Sequence, residues 1–239
     1  MSLLRHHNLL GGPFPLPYLY TYGTVPADNT SNTSSPMTPY VSIGSIGMRQ
    51  GDLVHVSNYV GDSNSRTLTI TAGGQTWTTT KERNGGIPEI WTSWCTFNGT
   101  WSADPTFAIS GSAVMKSTQM FIIRPPKVNA VWTVDQGPTF NTTGGASVTH
   151  VVTGVTNTMN NNITIARLIT NTTTGTYNAH SPLSWVQIGT ANFRNTGPNN
   201  KNGMYFILNQ RVPSATGNLT VTTNALGNGF GTMHSLYYT

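Results

Sequence analysis

"NNITIARLI", residues 161–169, decides the fold. Ile163, Ile165 and Ile169 share one parity, which is the period of a strand and not of a helix. The same alternation recurs in "RTLTIT" (66–71), where Leu68 and Ile70 point one way and Thr67, Thr69 and Thr71 the other, and in "NLTVTT" (218–223), with Leu219 and Val221. Threonine on the outer parity predicts half-buried antiparallel strands. Clusters such as "GDSNS" (61–65), "AGG" (72–74), "NGG" (84–86) and "NTGPNNKNG" (195–203) punctuate them, as turn chemistry requires. The expected fold class is all-β, with six to eight strands in each of two modules.

The two modules follow from repetition. "GDLVHVSNYV" (51–60) matches "NNITIARLI", with Leu53 against Ile163, 110 residues apart. Further on, Trp77 in "QTWT" meets Trp185 in "LSWV", and Phe107 in "PTFAIS" meets Leu219 in "NLTVT", at 108 and 112 residues. "IPEIWTSW" (87–94) matches "GMYFIL" (203–208), and "MFII" (120–123) matches "LYY" (236–238). Matches that keep their order over so long a period predict a duplicated plan. The expected organisation is an extended N-terminal arm (1–40), a β-sandwich module (41–124), a Pro-containing linker strand (125–135) acting as a short stiff strap, and a second β-sandwich module (136–239). Each module is expected to be immunoglobulin-like or jelly-roll-like. Trp77, Trp91 and Trp94 are expected to pin the first core, and Trp185, Tyr205 and Phe206 the second. The alternative for these aromatics is a sugar-binding platform.

Composition agrees with a β-protein rich in loops. The chain holds 39 Thr and 24 Asn, and only 8% of its residues are charged. A net charge of +5 arises from so few charges that a small surplus sets it. The densest basic groups, "KER" (81–83) and "RPPK" (124–127), are not the stripe that nucleic acid attracts. No nucleic-acid partner is expected, and no membrane segment approaches spanning length. Cys95 is the only cysteine, so no internal disulfide can form. It is expected as a buried thiol in a chain that folds in a reducing cytoplasm. "MSLLRHHNLLGG" carries no apolar run of signal-peptide length.

Chemistry-bearing residues are sparse. The acids are Asp28, Asp52, Asp62, Glu82, Glu89, Asp104 and Asp135, and none lies beyond 135. Asp52, Asp62 and Asp104 adjoin turns, and Glu82 between Lys81 and Arg83 reads as a solvated group. The histidines, His6, His7, His55, His150, His180 and His234, lack metal-ligand spacing. No GxSxG elbow and no phosphate-binding glycine loop occurs. The expectation is no catalytic residue, no metal and no cofactor.

The N-terminus carries the one conspicuous segment, "GGPFPLPYLYTYG" (11–23). Pro13, Pro15 and Pro17 hold it extended, and Phe14, Leu16, Tyr18, Leu19 and Tyr20 give it an apolar surface. Pro13 to Tyr20 is therefore the expected partner-binding stretch, on a polar tether, "TVPADNTSNTSSPMTPY" (24–40). A second arrangement, in which the arm lies along its own sandwich, stays open.

Tandem Thr/Asn/Gly-rich, Cys-poor modules with the order Gly51-Asp52-Leu53, Thr76-Trp77, Ile90-Trp91 resemble the immunoglobulin-like virion proteins of tailed bacteriophages. The resemblance covers about 41–239. It implies a non-enzymatic structural protein of the virion, assembled in the host cytoplasm. Its role would be capsid decoration or cementing, with the arm clasping neighbouring subunits. The implied partners are the major capsid protein or other virion proteins and further copies of the chain. The alternative is a tail or surface adhesin that binds glycan or receptor through its loops.

Overall fold

The computed structural model describes residues 17–25, 47–61, 65–71, 73–83, 89–103, 105–111, 116–171, 177–192 and 202–239. Among these the only regular structure is strand, thirteen strands in antiparallel sheets. The first part of the chain supplies β1 (Tyr18–Val25), β2 (Leu53–Val60), β3 (Leu68–Thr71), β4 (Thr78–Arg83), β5 (Glu89–Thr96), β6 (Thr106–Ile109) and β7 (Lys116–Arg124). Five of them form one sheet in the order β1-β7-β2-β5-β4, and β3 pairs with β6 as a separate two-stranded layer. One core lies between these layers. It joins Val54, Val56 and Val60 of β2, Trp91 and Cys95 of β5, Phe107 and Ile109 of β6, and Met120 and Ile122 of β7. Trp77 sits on its margin, its ring edge-on to Phe107 at 5.5 Å.

The remainder supplies β8 (Trp132–Val152), β9 (Asn162–Asn171), β10 (Tyr177–Ser181), β11 (Val186–Asn192), β12 (Asn202–Gln210) and β13 (Leu219–Tyr238). These form one sheet, β10-β13-β9-β12-β11, with β8 along β13. β13 runs for 20 residues and serves two leaves. Its first part, from Thr220 to Thr223, pairs with β10, and its second, from Asn228 to Tyr237, pairs with β9. The ladder with β8 shifts register between Thr222 and Gly229, where bulges bend a strand. The leaf beyond the bend folds back over the first. Leu219, Val221 and Val152 thereby pack on Ala166, Leu168, Met204, Phe206 and Met233, with Trp185 closing the core. The contact is close enough that a Cβ on Gly231 would meet Val152 Cγ2 at 3.0 Å, and one on Gly229 would meet the His150 ring at 2.4 Å.

A third core lies between the two large sheets. Leu53, Trp94, Phe121 and Ile123 of the first meet Ile163, Ile165, Ile188, Tyr205, Ile207, Leu236 and Tyr238 of the second. β1 lies over β11, and β4 over β8. The expected half-buried strands are therefore corrected at the centre of each sheet. Every residue of β2 is buried, as is β9 from Asn162 to Thr170, because each sheet has a layer on both sides. Trp94 and Tyr205 belong to this seam and not to the separate cores expected for them. Segment 125–135 carries the chain from β7 into β8. Trp132 docks there: its backbone N–H donates to Thr96 Oγ1 at 3.0 Å and its indole N–H to the Gly51 carbonyl at 2.9 Å.

Candidate functional site

The seam is apolar at one end and polar at its centre. Strand alternation decides which polar groups enter it. On β2 the inward parity carries Leu53, His55, Ser57 and Tyr59; on β9 it carries Ile163, Ile165, Arg167 and Ile169. Glu82 enters from β4. Its sequence neighbour Lys81 points the other way, its ammonium 5.1 Å from the Trp91 ring centroid and 3.2 Å from Glu89. The reading of Glu82 as a solvated group is therefore corrected. Adjacent residues on a strand face opposite sides, and the side facing the seam is closed by the second sheet.

Within the seam the Glu82 carboxylate accepts hydrogen bonds from Arg167 Nη2 and from Thr92 Oγ1, and His234 Nδ1 lies 3.5 Å away. His234 Nε2 is 2.9 Å from His55 Nε2. The His55 ring stacks on Phe121 of β7, centroids 5.2 Å apart. Burial alone would raise the Glu82 pKa. The Arg167 guanidinium, followed by the contacts from His234 and Thr92, overrides it and holds the carboxyl well below the ordinary carboxylate range. His55 is pushed well below the ordinary histidine value, chiefly by burial and then by the neighbouring His234. The Tyr205 hydroxyl is raised by burial. Such a cluster is costly to bury unless its members pair, and here they span six strands from two sheets.

The other described carboxylates are held as firmly. Asp52 is fully buried and takes a forked pair from Arg124, Nε to Oδ1 at 3.0 Å and Nη2 to Oδ2 at 2.7 Å, while the Arg49 backbone N–H donates to Oδ2 at 2.9 Å. It is thus both a turn residue, as expected, and half of a buried ion pair. Glu89 is buried and accepts from the Arg66 backbone N–H at 2.9 Å. Asp135 accepts from the Thr158 N–H at 2.8 Å, the Met159 N–H at 3.3 Å and Asn162 Nδ2 at 2.8 Å, pinning the loop between β8 and β9. Partial burial opposes its ionisation, yet the hydrogen bonds, led by those of Thr158, lower its pKa. Asp28, Asp62 and Asp104 lie outside the described residues, as do His6 and His7.

Among the described residues no group of three or more His, Cys, Asp or Glu side chains could hold a metal ion. Cys95 is buried in the core between β5 and β6, and burial raises its thiol pKa. His180 is held by two neighbours: Tyr177 Oη is 2.6 Å from Nδ1, and Nε2 is 2.8 Å from the Trp185 carbonyl. The carbonyl fixes the tautomer, so Nε2 carries the hydrogen and Tyr177 donates to Nδ1.

Of the expected partner-binding stretch, Pro13, Phe14, Pro15 and Leu16 lie outside the described residues. Pro17 is buried, and its carbonyl accepts a hydrogen bond from Asn209 Nδ2 of β12 at 3.1 Å. Tyr18 and Leu19 open β1, opposite Arg124 and Ile123 of β7, and Tyr20 is the extra residue of a bulge before Thr21. From Tyr18 onward, then, the segment is an edge strand of its own first sheet. The strand begins where the prolines stop, as expected of a residue that cannot donate to a ladder. Spacing gave the missed signal: Tyr18, Tyr20 and Tyr22 recur every second residue, a strand period that the prolines before them obscure. Compared with known proteins, the chain matches no family model, no curated protein and no solved structure.

Proposed function

We propose that the protein is a non-enzymatic structural protein of a virion, a capsid decoration or cement protein, whose segment before β1 clasps neighbouring subunits. The observation that carries this reading is the anchorage of that segment. Pro17 is buried against β12 while Tyr18–Val25 is bonded along β7. The fold thus offers a fixed point at Pro17, to which the stretch Pro13 to Leu16 is joined in sequence. A tether with a fixed base raises the effective concentration of its anchors at a neighbouring subunit. Proline stiffening lowers the ordering cost on docking. The internal pairing of Asp52, Glu82, Glu89 and Asp135 also supports a scaffold, because these carboxylates serve the fold.

We also infer that the chain is a duplicated module. The order β1-β7-β2-β5-β4 has its counterpart in β8-β13-β9-β12-β11, and the β3–β6 pair in β10 with the start of β13. Leu53 lies opposite Ile123 and Thr96, as Ile163 lies opposite Leu236 and Asn209. This register equates Ile123, the last residue of "MFII", with Leu236, the first of "LYY".

Deletion of residues 2–16 tests the clasp, because it leaves β1 whole. The expected result is an unchanged strand signal with sedimentation onto particles lacking the protein weakened at least about tenfold, the equivalent of roughly 1.4 kcal/mol. Undiminished attachment, or a tail position for the protein in electron micrographs of intact particles, contradicts the proposal and favours the adhesin.

A further inference from the structure

The two imidazoles at the centre of the seam can hold only a limited number of protons. His55 Nε2 and His234 Nε2 are 2.9 Å apart, so one carries the shared hydrogen and the other the lone pair. His234 Nδ1 faces the Glu82 carboxylate at 3.5 Å, and His55 Nδ1 is buried without a hydrogen-bond partner. The four ring nitrogens therefore accommodate at most three hydrogens. A fourth would set two N–H groups head to head. Charge imposes a tighter limit. The pair is faced by Glu82 from β4, Arg167 from β9 and the neutral Tyr205 from β12, with Thr92 of β5 and Phe121 of β7 completing the wall. Glu82 and Arg167 already balance, so each added proton is uncompensated in a region closed to water.

We propose that the seam is an acid-operated latch: uptake of a proton by His55, against the His234 ring, parts the two sheets, while each keeps its strands. Each sheet retains a core on its far side, Trp91 with Phe107 in one and Leu168 with Trp185 in the other, so separation does not require unfolding. The sign follows from burial. His55 titrates lower in the closed form than its ordinary 6.5. Below 6.5 the open form binds the proton more tightly, and closure weakens by up to about tenfold per pH unit for each proton. Above 6.5 this dependence vanishes. Glu82 acts later, below its ordinary 4.5, because its carboxyl is held low. His150 is also lowered by burial, but it lies in the second part's own core.

The full chain, taken from pH 8 to pH 4.5, is followed by binding of a hydrophobic dye and by the circular dichroism of its strands. The expected result is a several-fold rise in dye binding between pH 6.5 and 4.5 with the strand signal kept. His55→Phe, which stacks on Phe121 without taking a proton, moves that rise below pH 4.5, and His150→Gln leaves it in place. Should His55→Phe not fold, His55→Gln can still donate to His234 and must give the same shift. Four results overturn the latch: no rise above pH 4.5, a rise unmoved by either His55 change, a rise abolished by His150→Gln, or dye binding that coincides with loss of the strand signal.

Discussion

The two large sheets are covered differently. In the first, the covering layer is a detached pair: β3 and β6 bond only to each other, four residues each, and β6 ends at Ile109 before β7 resumes at Lys116. In the second, the cover is carried by one 20-residue strand, β13, which bends back over the sheet. Glycine makes the difference. "ALGNGFG" places Gly227, Gly229 and Gly231 at and after the bend, and a side chain at Gly229 or Gly231 would strike the returning leaf. The first cover is thus held by side chains alone, and the second by side chains and a continuous backbone ladder.

The seam joins both, so breaking it has the largest effect. Arg167→Ala leaves Glu82 charged and unpaired in a closed core and costs about 3–5 kcal/mol, read as a shift in the urea midpoint. Replacing both partners by leucine restores most of that loss, because the penalty belongs to the orphaned charge. Next come the two covers. Phe107→Ala and Leu219→Ala each empty a fully buried site and cost about 2–5 kcal/mol. They differ in where the loss is felt. Hydrogen exchange speeds up locally in β3 and β6 after Phe107→Ala, but throughout β8, β9 and β13 after Leu219→Ala, whose strand is shared. Gly231→Val overpacks the bend against Val152 and costs about 1–3 kcal/mol, again read in urea. The smallest effect is at Asp135, whose lowered pKa comes from loop hydrogen bonds. Asp135→Asn costs about 1 kcal/mol. The wild-type contribution is full above 3.8, the ordinary aspartate value, and is lost as pH falls below it, so the variant's curve is flatter there.

Much of the architecture was legible in the residues. The parity of Ile163, Ile165 and Ile169 assigns the seam face of β9, and "LTIT" and "TFAI" give the half-buried pattern of the first cover. What parity does not tell is how many layers a strand has beside it. His55, Ser57 and Arg167 occupy inward positions that look solvent-facing until a second sheet is set against them. The near-continuous apolar run of "ITIARLI" carried that information, since strands buried on both faces lose their alternation. Glu82 was illegible for a related reason: flanking cations suggest water, but the Lys81 side chain leaves on the opposite side. At the N-terminus, the prolines marked Pro13 to Tyr20 as unusual, whereas the partner strand of Tyr18–Val25 lies about a hundred residues away, at Thr118–Arg124, beyond any local pattern.

The central claim is that the two large sheets share one core and that this seam couples their unfolding while it is closed. Equilibrium unfolding of the full chain in urea at pH 8, above the range in which His55 takes up a proton, tests it directly. Tryptophan emission and circular dichroism are followed together. Trp94 and Trp132 report the seam, and Trp91 and Trp185 the outer cores. A single coincident transition, lost to two separate ones in Arg167→Ala, is the predicted result. Two transitions in the unaltered protein, each confined to one sheet, would contradict it.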